Sequence, residues 1–184
     1  MQSERIILGI DPGTNFMGYA LISVAGAKIQ LIKFGVINLS KLENHALKLK
    51  GIFHNVSEII DKYKPDELAI EAPFYGKNVQ SMLKLGRSQG VAMAVALSKE
   101  IPITEYSPKR IKQSITGNGN ASKEQVAAML QHLVRFNEKP AGYDVTDALA
   151  VAVCHFFQQG QTGQNKKYSG WKGFISENRD RIKD

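Results

Sequence analysis

Residues 5–24 have the sequence RIILGIDPGTNFMGYALISV. The first part is apolar and β-branched and stops at Asp11, Pro12 and Gly13, and a second strand-like run begins at Gly18. A short apolar run that ends in turn-forming residues is typical of a buried strand, and the next run predicts its neighbour. The pattern therefore predicts the opening strands of a sheet, with Asp11 at the end of the first strand.

Strand-like and helix-like patterns follow one another along the rest of the chain. Lys28–Leu39 is a third strand-like run, and Gly26 within the short connection predicts a hairpin. From Lys41 to Tyr63, apolar residues recur every three or four positions, as in an amphipathic helix. The remaining predicted elements are a strand over Glu67–Ile70, a helix over Asn78–Lys99, a strand over Ile103–Tyr106, and three helices, one from Ser107 towards Thr116, one from Ser122 to about Arg135 and one from near Asp144 to about Gln158.

Three strands followed by strands that alternate with helices predict an α/β fold, with a mixed sheet of about five strands flanked by helices. The length of 184 residues is typical of one domain. We assign residues 1–157 to this domain, because the composition beyond them becomes polar and rich in Gly and Gln. Residues 158–184 are predicted to form a basic, flexible tail.

The composition limits the kinds of protein to which this chain can belong. The formal net charge is +7 and the pI is about 9.4, which favours an anionic partner such as nucleic acid without identifying one. Cys154 is the single cysteine, so no internal disulfide can form, and a reducing cytoplasm is the expected location. The longest uncharged apolar stretch, Ser88–Ser98, is far shorter than the ~20 residues that a membrane helix needs, so no membrane role is expected.

Four carboxylates stand where apolar elements end or begin. Asp11 and Glu71 each follow a strand, while Asp144 and Asp147 are three residues apart and share one face at a helix start. Taken singly, each has an ordinary alternative: a turn for Asp11, a surface acid for Glu71, a cap for Asp144 and a solvated first-turn acid for Asp147. Converging carboxylates repel unless cations neutralise them, and Mg²⁺ prefers carboxylate oxygens with water and substrate phosphate. The set predicts a metal-dependent nuclease site within a basic surround.

Three segments resemble the RuvC-type Holliday-junction resolvases. They are IDPGTNFMGYA from Ile10 to Ala20, AIEAPFYGKN from Ala69 to Asn78, and DVTDALAVAVCH from Asp144 to His155. The resemblance spans residues 5 to about 157 in the same order. It implies a ribonuclease H-like fold, a homodimer and Mg²⁺-dependent symmetric nicking of four-way DNA junctions, in DNA recombination and repair.

The resemblance also implies roles for individual residues. The catalytic and metal-binding acids of the family correspond to the four carboxylates above: Asp11, Glu71, Asp144 and Asp147. Phe74 corresponds to an aromatic residue that stacks on an unpaired base, and Lys112 and Lys123 to basic positions near the scissile phosphate. Two Mg²⁺ ions per subunit are expected, with Mn²⁺ able to substitute, and a RuvA-RuvB-like branch-migration complex is the expected partner.

Several features have two interpretations at this stage. Phe74 is alternatively a core residue, and Lys112 and Lys123 are alternatively solvated surface lysines. The helix over Asn78–Lys99 has the apolar coverage of a core helix, although one face is a candidate dimer contact. The four histidines are treated as structural, and His155 has a second interpretation as a group that supports the site, because it lies two turns after Asp147.

Three rival functions are weighed against the resolvase. The segment from Asp11 to Gly18 also resembles the first phosphate loop of the sugar-kinase and actin-like ATPases, but the chain has no room for their second domain. A YqgF-like nuclease that acts on RNA is closer. A junction-binding module that no longer cleaves is the third, and the presence of all four carboxylates argues against it.

Overall fold

The computed structural model describes residues 4–73, 78–134 and 143–162, which form one mixed sheet covered by helices on both faces. Its strand order is β3-β2-β1-β4-β5, which confirms the predicted α/β class. The strands are β1 (Arg5–Asp11), β2 (Phe16–Ala25), β3 (Lys28–Asn38), β4 (Glu67–Glu71) and β5 (Ile103–Tyr106), and the helices are α1 (His45–Tyr63), α2 (Val79–Ser98), α3 (Pro108–Thr116), α4 (Lys123–Leu133) and α5 (Tyr143–Thr162).

The first three strands form an antiparallel meander. β1 pairs with β2, and β2 pairs with β3 through a tight hairpin in which Ala25 lies opposite Lys28. Gly26 in the turn has a φ of 60°, a left-handed conformation that glycine adopts without steric cost. The predicted hairpin is therefore confirmed.

The other half of the sheet is parallel. β4 pairs with β1, placing Ile10 beside Ile70, and β5 pairs with β4, placing Glu71 beside Tyr106. Parallel neighbours need long crossover connections, which α1 and α2 supply. The carboxyl ends of β1 and β4 consequently lie side by side at one edge of the sheet.

The helix boundaries follow the capping residues. α1 begins at His45 rather than at the predicted Lys41, because the side chain of Asn44 accepts a hydrogen bond from the Leu47 N–H. It ends where Lys64 adopts the left-handed conformation. The predicted caps are confirmed for two helices: Ser107 caps α3, and Ser122 forms a capping box with α4.

Each face of the sheet has its own apolar core. On one face α3, α4 and α5 pack in a cluster that contains Ile7, Leu130 and Leu149. On the other face α1 and α2 pack in a cluster that contains Leu8 and Ile52. A search of the described ranges finds no helix with the length and apolar character that crossing a membrane requires.

α5 lies directly against β1 and β2 because the strands carry glycines at the contact. A Cβ atom at Gly9 would lie 2.4 Å from the carbonyl oxygen of Ala148, and one at Gly18 would lie 2.0 Å from that of Asp144. Real Cβ atoms essentially never come this close to backbone. The two glycines therefore set the distance between the helix and the sheet.

The last helix is longer than the sequence predicted. α5 continues to Thr162, beyond the predicted end near Gln158. The side chain of Gln158 accepts a hydrogen bond from Arg110, and that of Gln159 accepts one from Arg5 at 2.5 Å. The assignment of residues 158–184 to a flexible tail stays a prediction, since most of them, including Tyr168 and Trp171, lie outside the described residues.

A glycine substitution tests the contact between α5 and the sheet. Gly9→Ala places a methyl group against the backbone of α5, so we expect the free energy of unfolding to fall by about 1 to 3 kcal/mol, as for other overpacked cores. Urea denaturation followed by circular dichroism measures this change. An unchanged midpoint and slope would contradict the close approach.

Candidate metal-dependent nuclease site

The acids predicted from the sequence are delivered by three elements to one edge of the sheet. Asp11 is the last residue of β1 and Glu71 the last of β4, and these strands are parallel neighbours. The first turns of α5 carry Asp144 and Asp147, and the backbone of Asp144 packs on Gly18, directly opposite Asp11 in the sheet. The sheet register and the glycine contact thus bring the acids together.

Three of the four acids line a common cleft of about 280 Å³. They are Asp11, Glu71 and Asp147. The two lysines predicted to lie near a phosphate, Lys112 and Lys123, line the same cleft. The side chains of Pro108, Ile111, Val126 and Ala150 complete its wall with apolar groups.

Asp144 has a different position from the other acids. It is half-buried on α5, one turn before Asp147, and it is not part of the cleft wall. Its charge nevertheless contributes to raising the pKa of Asp11. The structure therefore places Asp144 beside the cleft.

Ionisation of the acids in the cleft is unfavourable. Burial raises the pKa of Asp11 to about 8, and the charges of Glu71 and Asp147 act in the same direction. Burial likewise raises the pKa of Glu71 to about 7, with the charge of Asp147 adding to the effect. Without a cation, these carboxyl groups hold protons at pH values where exposed carboxyl groups have lost them.

Two lysines offset part of this charge. The ammonium of Lys123 donates a hydrogen bond to the carboxylate of Asp147. Burial opposes the charged form of Lys123, but the bond to Asp147 and the charges of Asp147 and Asp11 raise its pKa overall. The charge of Lys112 lowers the pKa of Glu71. Lys123 is the first residue of α4 and Lys112 lies in the middle of α3.

The donor set fits a hard divalent cation in its chemistry. All four acids offer carboxylate oxygen, which Mg²⁺ prefers, and the raised pKa values of Asp11 and Glu71 indicate that added positive charge would be stabilising. Within the described ranges, no group of three or more His, Cys, Asp or Glu side chains is arranged to hold one metal ion. Mg²⁺ commonly uses only one or two carboxylates and completes its shell with water and substrate phosphate, so the two observations are compatible.

Comparison with known proteins identifies the family. The family model described as crossover junction endodeoxyribonuclease RuvC matches residues 7–155. This chain belongs to the RuvC family. The family resemblance seen in the sequence is therefore confirmed, and with it the ribonuclease H-like fold.

Similar members of the RuvC family come from several organisms. The crossover junction endodeoxyribonuclease RuvC of Cytophaga hutchinsonii is 62% identical over 98% of this chain and 89% of the relative. That of Bacteroides fragilis is 60% identical over 98% of this chain and 97% of the relative. A solved structure of T. thermophilus RuvC in complex with Holliday junction substrate has a TM-score of 0.80 and 28% identity, covering 86% of this chain and 96% of that one.

One residue that contacts the backbone of a site residue was missed in the sequence. Gln89 of α2 is only 6% exposed, and its amide donates hydrogen bonds to the backbone carbonyl of Glu71 at 3.2 Å and to the carboxylate of Glu105 at 2.8 Å. It ties α2 to the strand end that carries Glu71. A glutamine in an apolar helix was a visible signal, but its partners lie in other elements.

Other predicted residues lie away from the cleft or outside the described chain. The ring of His155 is hydrogen-bonded to the Tyr106 hydroxyl at 2.9 Å and to the Glu67 carboxylate at 2.6 Å, and neither partner lines the cleft. The structural interpretation of His155 is thus favoured over a role in supporting the site. Phe74 lies outside the described residues, so its stacking role stays a prediction.

The raised pKa values give a pH-dependent stability. In the folded, metal-free protein Asp11 keeps its proton up to about pH 8, whereas in the unfolded chain its pKa returns to 3.8, so stability is lost as the pH rises between these values. Asp11→Asn removes this pH-dependent loss of stability, because the amide does not ionise. We expect its melting temperature to exceed that of the unsubstituted protein by several degrees at pH 8, and by less at pH 5, at about 2 to 4 °C per kcal/mol.

Differential scanning calorimetry in EDTA measures both pH values. Glu58→Gln is the control, because it removes an exposed acid from α1 outside the cleft. An Asp11→Asn protein that melts below the unsubstituted protein at pH 8 would contradict the charge repulsion.

Proposed function

We infer that this RuvC-family chain is an Mg²⁺-dependent endodeoxyribonuclease that resolves four-way (Holliday) DNA junctions by paired symmetric nicks, in DNA recombination and repair. The observation that carries the inference is the cleft in which three carboxylates meet two lysines. A volume of about 280 Å³ is small for a ligand pocket, which typically has ~300 to 1,000 Å³, and suits a phosphodiester group.

The four acids hold the metal in this proposal. Asp11, Glu71 and Asp147 act from the cleft wall, and Asp144 from one turn earlier on α5. Two Mg²⁺ ions per subunit, or Mn²⁺ in their place, held by these acids would supply an activated water and stabilisation of the leaving oxygen in an in-line displacement. The acids repel one another when unneutralised, which supports cation binding at this position.

Lys112, Lys123 and Phe74 contact the substrate in this proposal. Lys112 and Lys123 stand at the rim of the cleft, where their charge attracts the DNA backbone. Lys123 reaches the substrate beside Asp147, with which it is paired. Phe74, three residues beyond Glu71, is proposed to stack on an unpaired base at the junction, an interaction typically worth ~1 to 3 kcal/mol.

Asp11→Asn separates cleavage from binding. We expect the rate of junction cleavage in Mg²⁺ to fall at least about a hundred-fold, since even residues that only support a metal ligand cost 10- to 100-fold when lost. Junction affinity, measured in EDTA by fluorescence anisotropy, should persist because the basic surface is unchanged. The cleavage assay compares a synthetic four-way junction with a linear duplex of matched sequence.

The control and the rival functions give distinct outcomes. Glu58→Gln should cleave like the unsubstituted protein. Paired cuts that persist in Asp11→Asn would refute the proposed site. Tight junction binding without cuts in the unsubstituted protein would favour a binding module, and preferred cleavage of structured RNA would favour the YqgF-like nuclease.

A homodimer is proposed through one face of α2. Val79, Leu83 and Leu97 are 65%, 56% and 61% exposed, unusually high for large apolar side chains, and helical spacing puts them on one stripe. Gly86 and Gly90 lie on the same stripe, and a Cβ atom at either would meet nothing within 4 Å. An apolar stripe with room at its centre suits a second copy of α2, and a two-fold dimer matches a junction with two equivalent strands to cut.

Leu83→Arg tests this dimer. Placing a charge in the α2 stripe should shift the mass in sedimentation equilibrium from about twice 20.3 kDa towards 20.3 kDa at micromolar concentration. Phe53→Arg is the matched control, because Phe53 is 48% exposed on α1, away from the stripe. A Leu83→Arg protein that remains dimeric would place the interface elsewhere.

The remaining partners follow from the same proposal. A RuvA-RuvB-like branch-migration complex would hold and deliver the junction, and the protein would act in the cytoplasm.

A further inference from the structure

A second polar cleft lies between the starts of α1 and α2. It has a volume of about 330 Å³, and we call it the α1–α2 cleft. Its wall includes Asn15 from the loop after β1, His45 and Lys48 from α1, and Lys84 from α2. None of these residues belongs to the carboxylate cleft.

Positive charge from two helices converges on this cleft. The pKa of His45 is lowered by burial and then by the charges of Arg87, Lys84 and Lys48. Glu43 is the one acid in the cleft wall as far as the described residues define it. The first turn of α1 also carries no acid, so its N–H dipoles add to the positive field.

One polar atom in the cleft lacks a partner. The Nε2 atom of His45 is buried and makes no hydrogen bond within the described part of the chain. A buried polar atom without a partner costs about 1 to 3 kcal/mol, so a rotation of the ring that exposes Nε2 to an anion in the cleft is favoured. A neutral imidazole has one N–H donor, which in the Nε2–H tautomer can donate to an anionic oxygen.

The loop that links the two clefts is anchored. Lys48 donates a hydrogen bond from its ammonium to the side-chain oxygen of Asn15 at 2.5 Å. Asn15 is only four positions after Asp11 along the chain, so their Cα atoms lie within about 14 Å of each other. A B-DNA strand advances about 3.4 Å per nucleotide, which places the α1–α2 cleft within roughly four nucleotides of a phosphodiester at Asp11.

We propose that the α1–α2 cleft binds a backbone phosphate of the DNA strand that leaves the carboxylate cleft, with Lys84, Lys48 and the Nε2 of His45 as its contacts. The identity of this ligand as DNA rests on the proposed nuclease function. The chemistry of the cleft itself requires only an anionic, phosphate-like group. This distinction allows the two inferences to be tested apart.

The first experiment measures junction binding by the full chain in EDTA at several salt concentrations. Lys84→Gln removes an exposed lysine at the cleft. We expect affinity to fall three- to ten-fold at about 0.1 M salt, and the slope of log affinity against log salt to become shallower by about one. His45→Phe, which removes the buried nitrogen and retains a ring, should weaken binding without changing the slope.

The control is Lys50→Gln, which makes the same charge change on α1 at an exposed position outside the cleft wall. Its affinity should stay within two-fold of the unsubstituted protein. Equal losses for Lys84→Gln and Lys50→Gln would overturn the proposal, because they would indicate a diffuse charge effect.

The second experiment needs no DNA. Inorganic phosphate is titrated into protein with labelled histidines, and the ring signals are followed by NMR. The His45 signals should shift in the unsubstituted protein and not in Lys84→Gln, with His54, His132 and His155 as internal references. Absence of a selective His45 shift would overturn the phosphate site.

Together, the two experiments distinguish a failure of the nuclease proposal from a failure of the phosphate site. If the unsubstituted protein shows the His45 shift but does not bind the junction, the nuclease proposal and the DNA assignment of the cleft fail, and the anion site remains. If it binds the junction without a His45 response, the nuclease proposal remains and the phosphate site is refuted.

Discussion

The packing of α5 on the sheet is the contact on which the rest of the structure depends. Because Gly9 and Gly18 have no side chains, the helix backbone rests on β1 and β2 with no intervening layer. This close approach brings the first turns of α5 to the ends of the strands, next to Asp11. The ion pair between Lys123 and Asp147 requires that position, because Asp147 lies on α5.

The burial of neighbouring acids in the cleft lowers the stability of the metal-free protein. A protein that folded only for stability would not bury Asp11 beside Glu71, because burial and the charge of Glu71 both raise the cost of ionising Asp11. The surrounding structure holds the end of β4 in place: Gln89 donates to the carbonyl of Glu71, and the Ala72 N–H donates to the carbonyl of Tyr106. The acids thus remain close together, and the favourable way to relieve their repulsion is to bind cations.

The sequence predicted the features that depend on neighbouring positions along the chain. Asp11 and Glu71 were identifiable because each directly follows an apolar strand, and Ser107 and Ser122 because caps have local signatures. The first turn of α1 was misplaced, since the apolar period extends before the residue that caps the helix, Asn44. Contacts between residues that are distant in sequence leave no pattern in the sequence. The hydrogen bond from Gln89 to Glu71 is one example, and the presence of Asn15 and Lys84 in one cleft is another.

The order of the strands and helices along the chain has a consequence for synthesis. The meander of β1, β2 and β3 joins neighbouring segments and can form early, whereas β4 must pair with β1 across more than fifty residues and α5 arrives last among the described elements. Ribosomes add only about 5 to 20 residues per second, so the emerging chain exists for seconds with Asp11 and Glu71 made but Asp144 and Asp147 absent. A nascent chain that still lacks α5 therefore has no complete acid cluster.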